Sequence, residues 1–169
     1  DNDFSGKTYT AVDNTSLFAL DQATDDFSSI CTTLCTSFIE LFAGTTSNPN
    51  TFNQNISSWD TSNVVFFTNM FQFNISFNQP IGFWNTENVT NMRHLFRGFP
   101  SINNPFNQDI SNWNTSLVTN MDRMFQLNNS FSQDISSWCV ELIPTEPTDF
   151  ANAFLNANPS FKPNWGAPC

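Results

Sequence analysis

His94 is the only histidine in the chain, set between Met92 and Leu95 with Arg93 and Arg97 beside it. An imidazole among guanidiniums is a poor start for a zinc site, and no second histidine or paired-cysteine spacing supplies the remaining ligands. Asp109 and Asp134 occupy equivalent places in two copies of a repeated phrase. Two neighbouring carboxylates begin a calcium site, but calcium takes about six to eight oxygens and these two bring too few. Serines and aspartates abound, yet no Gly-x-Ser-x-Gly turn and no glycine-rich phosphate loop fixes a nucleophile. A polysaccharide-active site would need aspartates clustered with Lys or Arg on one face, and the chain holds only 5 basic residues against 15 acidic ones. The expectation is therefore a protein that is not an enzyme, with no catalytic group, no cofactor and no metal.

Four cysteines fit two disulfides. Cys139 and Cys169 bracket a proline-rich final segment, so a bridge between them would pin a C-terminal cap. Cys31 and Cys35 lie four apart; either they bridge locally, or Cys35 serves as a small buried hydrophobe. Six Asn-x-Ser/Thr sequons occur, at Asn14, Asn55, Asn74, Asn88, Asn114 and Asn128. Asn74 and Asn128 fall in equivalent short return loops, and are expected to be exposed and open to glycosylation. Asn55, Asn114 and Asn14 are further candidates, whereas Asn88 is read as structural.

The elements that carry these residues come from a repeat. Phe52-Asn-Gln-Asn-Ile56-Ser-Ser-Trp59 recurs as Phe77 to Trp84, Phe106 to Trp113 and Phe131 to Trp138, with Trp spacings of 25, 29 and 25 residues. With Trp as position zero, Phe stands at −7 and Ile at −3 (Ile56, Ile81, Ile110, Ile135). Val64, Val89 and Val118 stand at +5; Phe67, Met92 and Met121 at +8; Met70, Leu95 and Met124 at +11; Phe71, Phe96 and Phe125 at +12. Apolar positions three and four apart share a helix face, so +5 to +12 reads as a short helical turn. The stretch from −3 to zero reads as a short strand. Extrapolation upstream places Ile30 at zero, with Cys35, Phe38, Leu41 and Phe42 in the apolar registers.

These spacings predict an α/β solenoid of ~25-residue repeats, each a short strand plus a short helical turn. Residues 1–29 would be an N-terminal cap, 30–138 the repeats and 139–169 a disulfide-closed C-terminal cap. Asn53, Asn78 and Asn107 at −6 and Gln54, Gln79, Gln108 and Gln133 at −5 would hydrogen-bond up the stack as a ladder. Trp59, Trp84, Trp113 and Trp138 belong to the core rather than to an aromatic sugar platform. From +12 to the next −7 the distance alternates between ten and six residues, and the longer loops are rich in Asn, Pro, Thr and Ser.

The nearly complete phrase Phe106-Asn-Gln-Asp-Ile-Ser-Asn-Trp-Asn-Thr-Ser-Leu-Val-Thr-Asn-Met-Asp-Arg-Met-Phe125 resembles the BspA-like surface-protein repeat of the DUF285 family. The resemblance covers roughly Ile30 to Trp138. The segments Thr8 to Thr33 and Cys139 to Cys169 are similar to the lead-in and terminal cap of such proteins. The resemblance implies a right-handed leucine-rich-repeat-like coil and a secreted or cell-surface protein concerned with adhesion and protein contact. Phe66, Phe67 and Gly82-Phe83 depart from the family pattern, and those Phe either pack or stand exposed.

Charge and composition agree with that setting. A formal charge of −10 argues against nucleic acid or an anionic membrane as partner, and no run of some 18 apolar residues could span a bilayer. Paired cysteines and a lysine-poor, asparagine-rich surface favour an extracellular location. The chain starts at Asp1 without Met, as expected of a processed form or of a piece of one. Expected partners are other surface proteins or further copies of the chain, with glycans attached. The alternative function is a structural subunit of a surface fibre or layer that assembles end to end through its caps.

Overall fold

The computed structural model describes residues 8–102, 104–151 and 158–169. Residues 1–7 of the expected N-terminal cap, Asn103 of a long loop and residues 152–157 of the C-terminal cap lie outside the described residues.

The expected α/β solenoid of strands and helical turns is not what this chain forms. Among the described residues the regular elements are two short strands, β1 (Thr10–Asp13) and β2 (Ile30–Leu34), one short helix α1 (Asn14–Phe18), and 3-10 turns at Phe27–Ser29 and Pro159–Phe161. The strands pair in parallel in one two-stranded sheet, Thr10 opposite Ile30 and Ala11 opposite Cys31. Asp13 caps α1 with a reciprocal bond to Ser16. The repeat itself contains neither element. The −3 to zero stretch is a turn, closed by Trp59 N–H to the Ile56 carbonyl at 3.1 Å and likewise in the later copies.

The +5 to +12 stretch fails as a helix because its backbone turns left-handed at +10. Glu40, Asn69, His94 and Arg123 hold φ of 60°, 59°, 58° and 55° there, outside the right-handed region a helix needs. The N–H groups then alternate in destination. Those at +8, +10 and +12 reach the next repeat, as Phe67 to Asn91, Asn69 to Arg93 and Phe71 to Leu95 at 2.9–3.0 Å. Those at +11 and +13 turn back three residues, as Met70 to Phe67 and Gln72 to Asn69. The apolar spacing that mimics a helix face is the period of this staircase of turns. Isolated parallel bridges at +7 join Ser37, Phe66, Asn91 and Asn120 from copy to copy.

Side chains complete the stacking. The +12 rings Phe42, Phe71, Phe96 and Phe125 follow one another at 5.7 Å, and each lies 3.6–4.1 Å from the Phe at the next −7. Trp59 stacks on Trp84 at 6.4 Å and Trp113 on Trp138 at 6.3 Å. The phenylalanine rows end in perpendicular rings, Phe27 against Phe42 and Phe150 against Phe125. Edge-to-face packing is as favourable as offset stacking, and here it closes a row that would otherwise invite another ring.

Three polar ladders run alongside. Each Trp indole N–H donates back to the −3 carbonyl of the preceding copy: Trp59 to Phe27, Trp84 to Ile56, Trp113 to Ile81, Trp138 to Ile110. Each Thr at +2 is buried and donates forward: Thr32 to Asp60, Thr61 to Asn85, Thr86 to Asn114, Thr115 to Cys139. The amide ladder is also formed. Asn53, Asn78 and Asn107 accept through Oδ1 from the backbone N–H of the following copy and from its Gln Nε2.

The loop alternation has a cause at +14. The long loops follow Gly44 and Gly98, whose added Cβ would meet backbone atoms at 2.4 and 2.1 Å. The short loops follow Phe73 and Leu127, both left-handed. At the C-terminus the register continues through Ile143 at +5 and Phe150 at +12, both buried. A one-residue slip there lets Arg123 N–H meet Thr148 and puts the left-handed Asp149 in line with the +10 series.

Candidate functional site

The residues singled out in sequence divide into those the stack consumes and those it leaves. The expected repeat core is consumed: Trp59, Trp84, Trp113, Trp138, the four Ile at −3 and Phe71, Phe96 and Phe125 are all buried. Cys139 and Cys169 form a disulfide that closes the final segment. Ile135 N–H to Phe161 and Gly166 N–H to Val140 attach that segment to the last repeat. A Cys31–Cys35 bridge is not formed, and both are free thiols. Cys31 lies in β2 with its sulfur against Thr33 Oγ1, while Cys35 is buried with its sulfur against the Val12 carbonyl. Burial pushes the Cys35 thiol up to about 11.

Asn74 and Asn128 are not exposed glycan acceptors; they are 1% and 2% exposed. Asn74 Nδ2 donates to the Phe52 carbonyl, and its Oδ1 accepts from Ser76 and Phe77 N–H. Asn128 repeats the pattern with Phe106, Ser130 and Phe131. A short return loop cannot satisfy its own backbone, so the amide turns inward to do it. Asn55 and Asn114 are exposed, each closing an Asx turn, with Ser57 and Ser116. Asn14 is half-buried between the backbones of Thr36 and Ser37. Asn88 is exposed and donates to the Ser62 carbonyl. Asp109 and Asp134 likewise cap turns: backbone and side-chain bonds with Ser111 and Ser136 hold both carboxyls below the usual range. Among the described residues, no three His, Cys, Asp or Glu gather as a metal site, and no helix is long and apolar enough to cross a membrane.

What the stack leaves is a face built from +7, +9, +10 and +13. The +8 and +11 side chains between these positions are buried. The +10 residues form a ribbon from copy to copy. Asn69 Nδ2 donates to Glu40 Oε1 at 3.0 Å, and Asn69 Oδ1 meets His94 Nδ1 at 3.1 Å. Arg123 Nε and Gln126 Nε2 both reach Asp149 Oδ2. Because Asn69 donates to a carboxylate on one side, its oxygen must face His94. Nδ1 of His94 then carries the proton and Nε2 is left buried without a partner. Burial, with Arg93, Arg97 and Arg123 around it, lowers the imidazole pKa to about 4. Arg97 lies over the Phe73 ring at 5.1 Å with its Nε unsatisfied. Toward the first copies the same face turns apolar, with Ile39 and Phe66 each 40% exposed. Beyond Asp122 it meets an open groove of about 260 Å³ against the C-terminal segment.

Sequence reasoning weighs His94, with Arg93 and Arg97 beside it, as a zinc ligand or as the base of a Ser-His-Asp relay, and misses Arg123, Asn69, Glu40 and Asp149. Tabulating the polar registers as carefully as the apolar ones exposes Glu40, Asn69, His94 and Arg123 as a single series.

A family model described as "Mycoplasma protein of unknown function, DUF285" matches residues 13–106 and again 99–165. The chain belongs to the DUF285 family. The two overlapping matches cover the repeats and reach into both flanking segments. No curated protein and no solved structure was found to match.

Proposed function

We propose that this DUF285 chain is a non-catalytic contact module of an extracellular or cell-surface protein, serving adhesion or protein–protein contact. The observation that carries the reading is the +7/+9/+10/+13 face. The repeat's fixed side chains are spent on copy-to-copy bonds, whereas this face changes from copy to copy, from Ile39 and Phe66 to Arg93 and Arg123. A rigid scaffold that holds variable, partly apolar side chains in line is suited to gripping a partner surface. The disulfide supports an oxidising compartment. The exposed Asn55 and Asn114 are suited to carrying glycans there.

The test is binding of fluorescent protein to intact cells of the source organism, and to its secreted proteins, with Ile39→Ser/Phe66→Ser as the face variant and Phe83→Ser as control. Phe83 is 92% exposed and stands off this face, at −1. Saturable binding lost only in the face variant is expected. Equal binding by all three proteins would remove the face from the account. Growth into filaments by light scattering would favour the fibre-subunit reading instead.

A further inference from the structure

The three arginines near His94 account for three of the chain's five basic residues, in a protein of net charge −10. Carboxylates outnumber cations threefold, yet they do not neutralise this cluster. The Arg93 guanidinium has no hydrogen-bond or ion-pair partner among the described residues, its main chain alone being bonded, to Asn69 and Asn91. Arg97 has a ring beneath it and an unsatisfied Nε. Arg123 makes one contact with Asp149, at 3.4 Å between groups 38% and 48% exposed, a pair of little strength. Like charges held together raise the free energy of the unliganded surface. Burial first, and then Arg123 and Arg93, make the Arg97 guanidinium harder to keep charged. Of the nearby carboxylates, Asp122 lies beside His94 electrostatically, Asp149 is shared between Arg123 and Gln126, and Glu40 is screened from the imidazole by Asn69.

Guanidiniums present planar forks that fit a carboxylate through paired N–H donors. The cation–π contact holds Arg97 in place before any ligand arrives, so less ordering is lost on binding. Along the face lie Phe66 and Ile39, which an apolar flank could cover. We propose that Arg93, Arg97 and Arg123 form a carboxylate-binding site that takes an acidic peptide segment of a partner protein. This rests on the contact-module reading and names the chemistry of the partner.

The test uses the full chain with hexaglutamate as probe, against inorganic sulfate and phosphate at matched ionic strength, read by NMR and calorimetry. Hexaglutamate binds saturably, raises the His94 titration midpoint above about 4, and binds at least tenfold more weakly to Arg93→Gln. The Arg93 guanidinium holds no partner among the described residues, so this variant keeps native fluorescence; Arg97→Gln serves as a second variant. Binding unchanged in both variants overturns the site. Saturable binding of sulfate or phosphate without hexaglutamate overturns the peptide assignment, as does no binding at all. Loss of hexaglutamate binding alongside intact cell binding by wild-type protein would fail this inference alone, because the cell assay perturbs Ile39 and Phe66 instead.

Discussion

Replacing Asn74 by alanine separates an amide that holds the fold from one that waits for a glycan. The wild-type side chain satisfies the Phe52 carbonyl at 3.1 Å and the Phe77 N–H at 2.9 Å, both in buried surroundings, and the Ser76 N–H at 2.9 Å in a half-buried one. Alanine strands the first two. Each buried group left unpaired costs about 1–3 kcal/mol, so the loss is about 2–6 kcal/mol, with Ser76 turning to water at little cost. Urea unfolding followed by tryptophan fluorescence reads this directly, because the four repeat indoles are buried and emission moves when the stack opens. Asn55→Ala is the control: an exposed residue closing one Asx turn, worth about 1 kcal/mol or less. If Asn74→Ala falls within 1 kcal/mol of wild type, the inward amide does not hold the return loop and the reasoning fails.

Four further outcomes follow from the same contacts. Between pH 6.5 and about 4 the unfolded chain protonates His94 before the folded one does. Stability therefore falls with pH across that window, and His94→Gln flattens the slope there but not below the ordinary aspartate range. Reducing Cys139–Cys169 opens a loop with a sequence separation of 30 and costs about 3–4 kcal/mol on the chain-entropy model, measurable with and without a phosphine reductant. Gly98→Ala sets a Cβ 2.1 Å from the Leu127 carbonyl oxygen and loses about 1–3 kcal/mol by overpacking, measured in the same urea assay. Thiol titration with a disulfide reagent at pH 8 leaves Cys35 unreacted in the native state, since burial holds its thiol near 11, and exposes it in denaturant.

The core registers were legible because buried positions tolerate few residue types, so Phe, Ile, Val and Trp reappear at fixed offsets. Even the degenerate first copy could be found, and Trp59 donating to Phe27 fixes Ile30 as the stand-in for Trp. The local backbone was not legible. Apolar side chains at +5, +8, +11 and +12 suit a helix and a staircase of turns equally, and what decides is the left-handed residue at +10. Asn69, and more weakly His94, advertise that conformation by type; Glu40 and Arg123 do not. The return loops misled for a related reason. Asn reads as an exposed turn residue, and nothing in Asn74-Ile-Ser or Asn128-Asn-Ser says that the amide faces in. The His94 face stayed hidden because its partners lie one copy away, some 25 residues in sequence, where only register counting connects them.

The central claim is that the repeat's fixed residues bind copy to copy through their side chains. Hydrogen exchange of the indole N–H protons of Trp59, Trp84, Trp113 and Trp138, followed by NMR, tests it most directly. Each donates to a main-chain carbonyl in the preceding copy, so all four should exchange only through opening of the stack, with rates that rise together in denaturant. Exchange of any of them within minutes at neutral pH, independent of denaturant, would contradict the account.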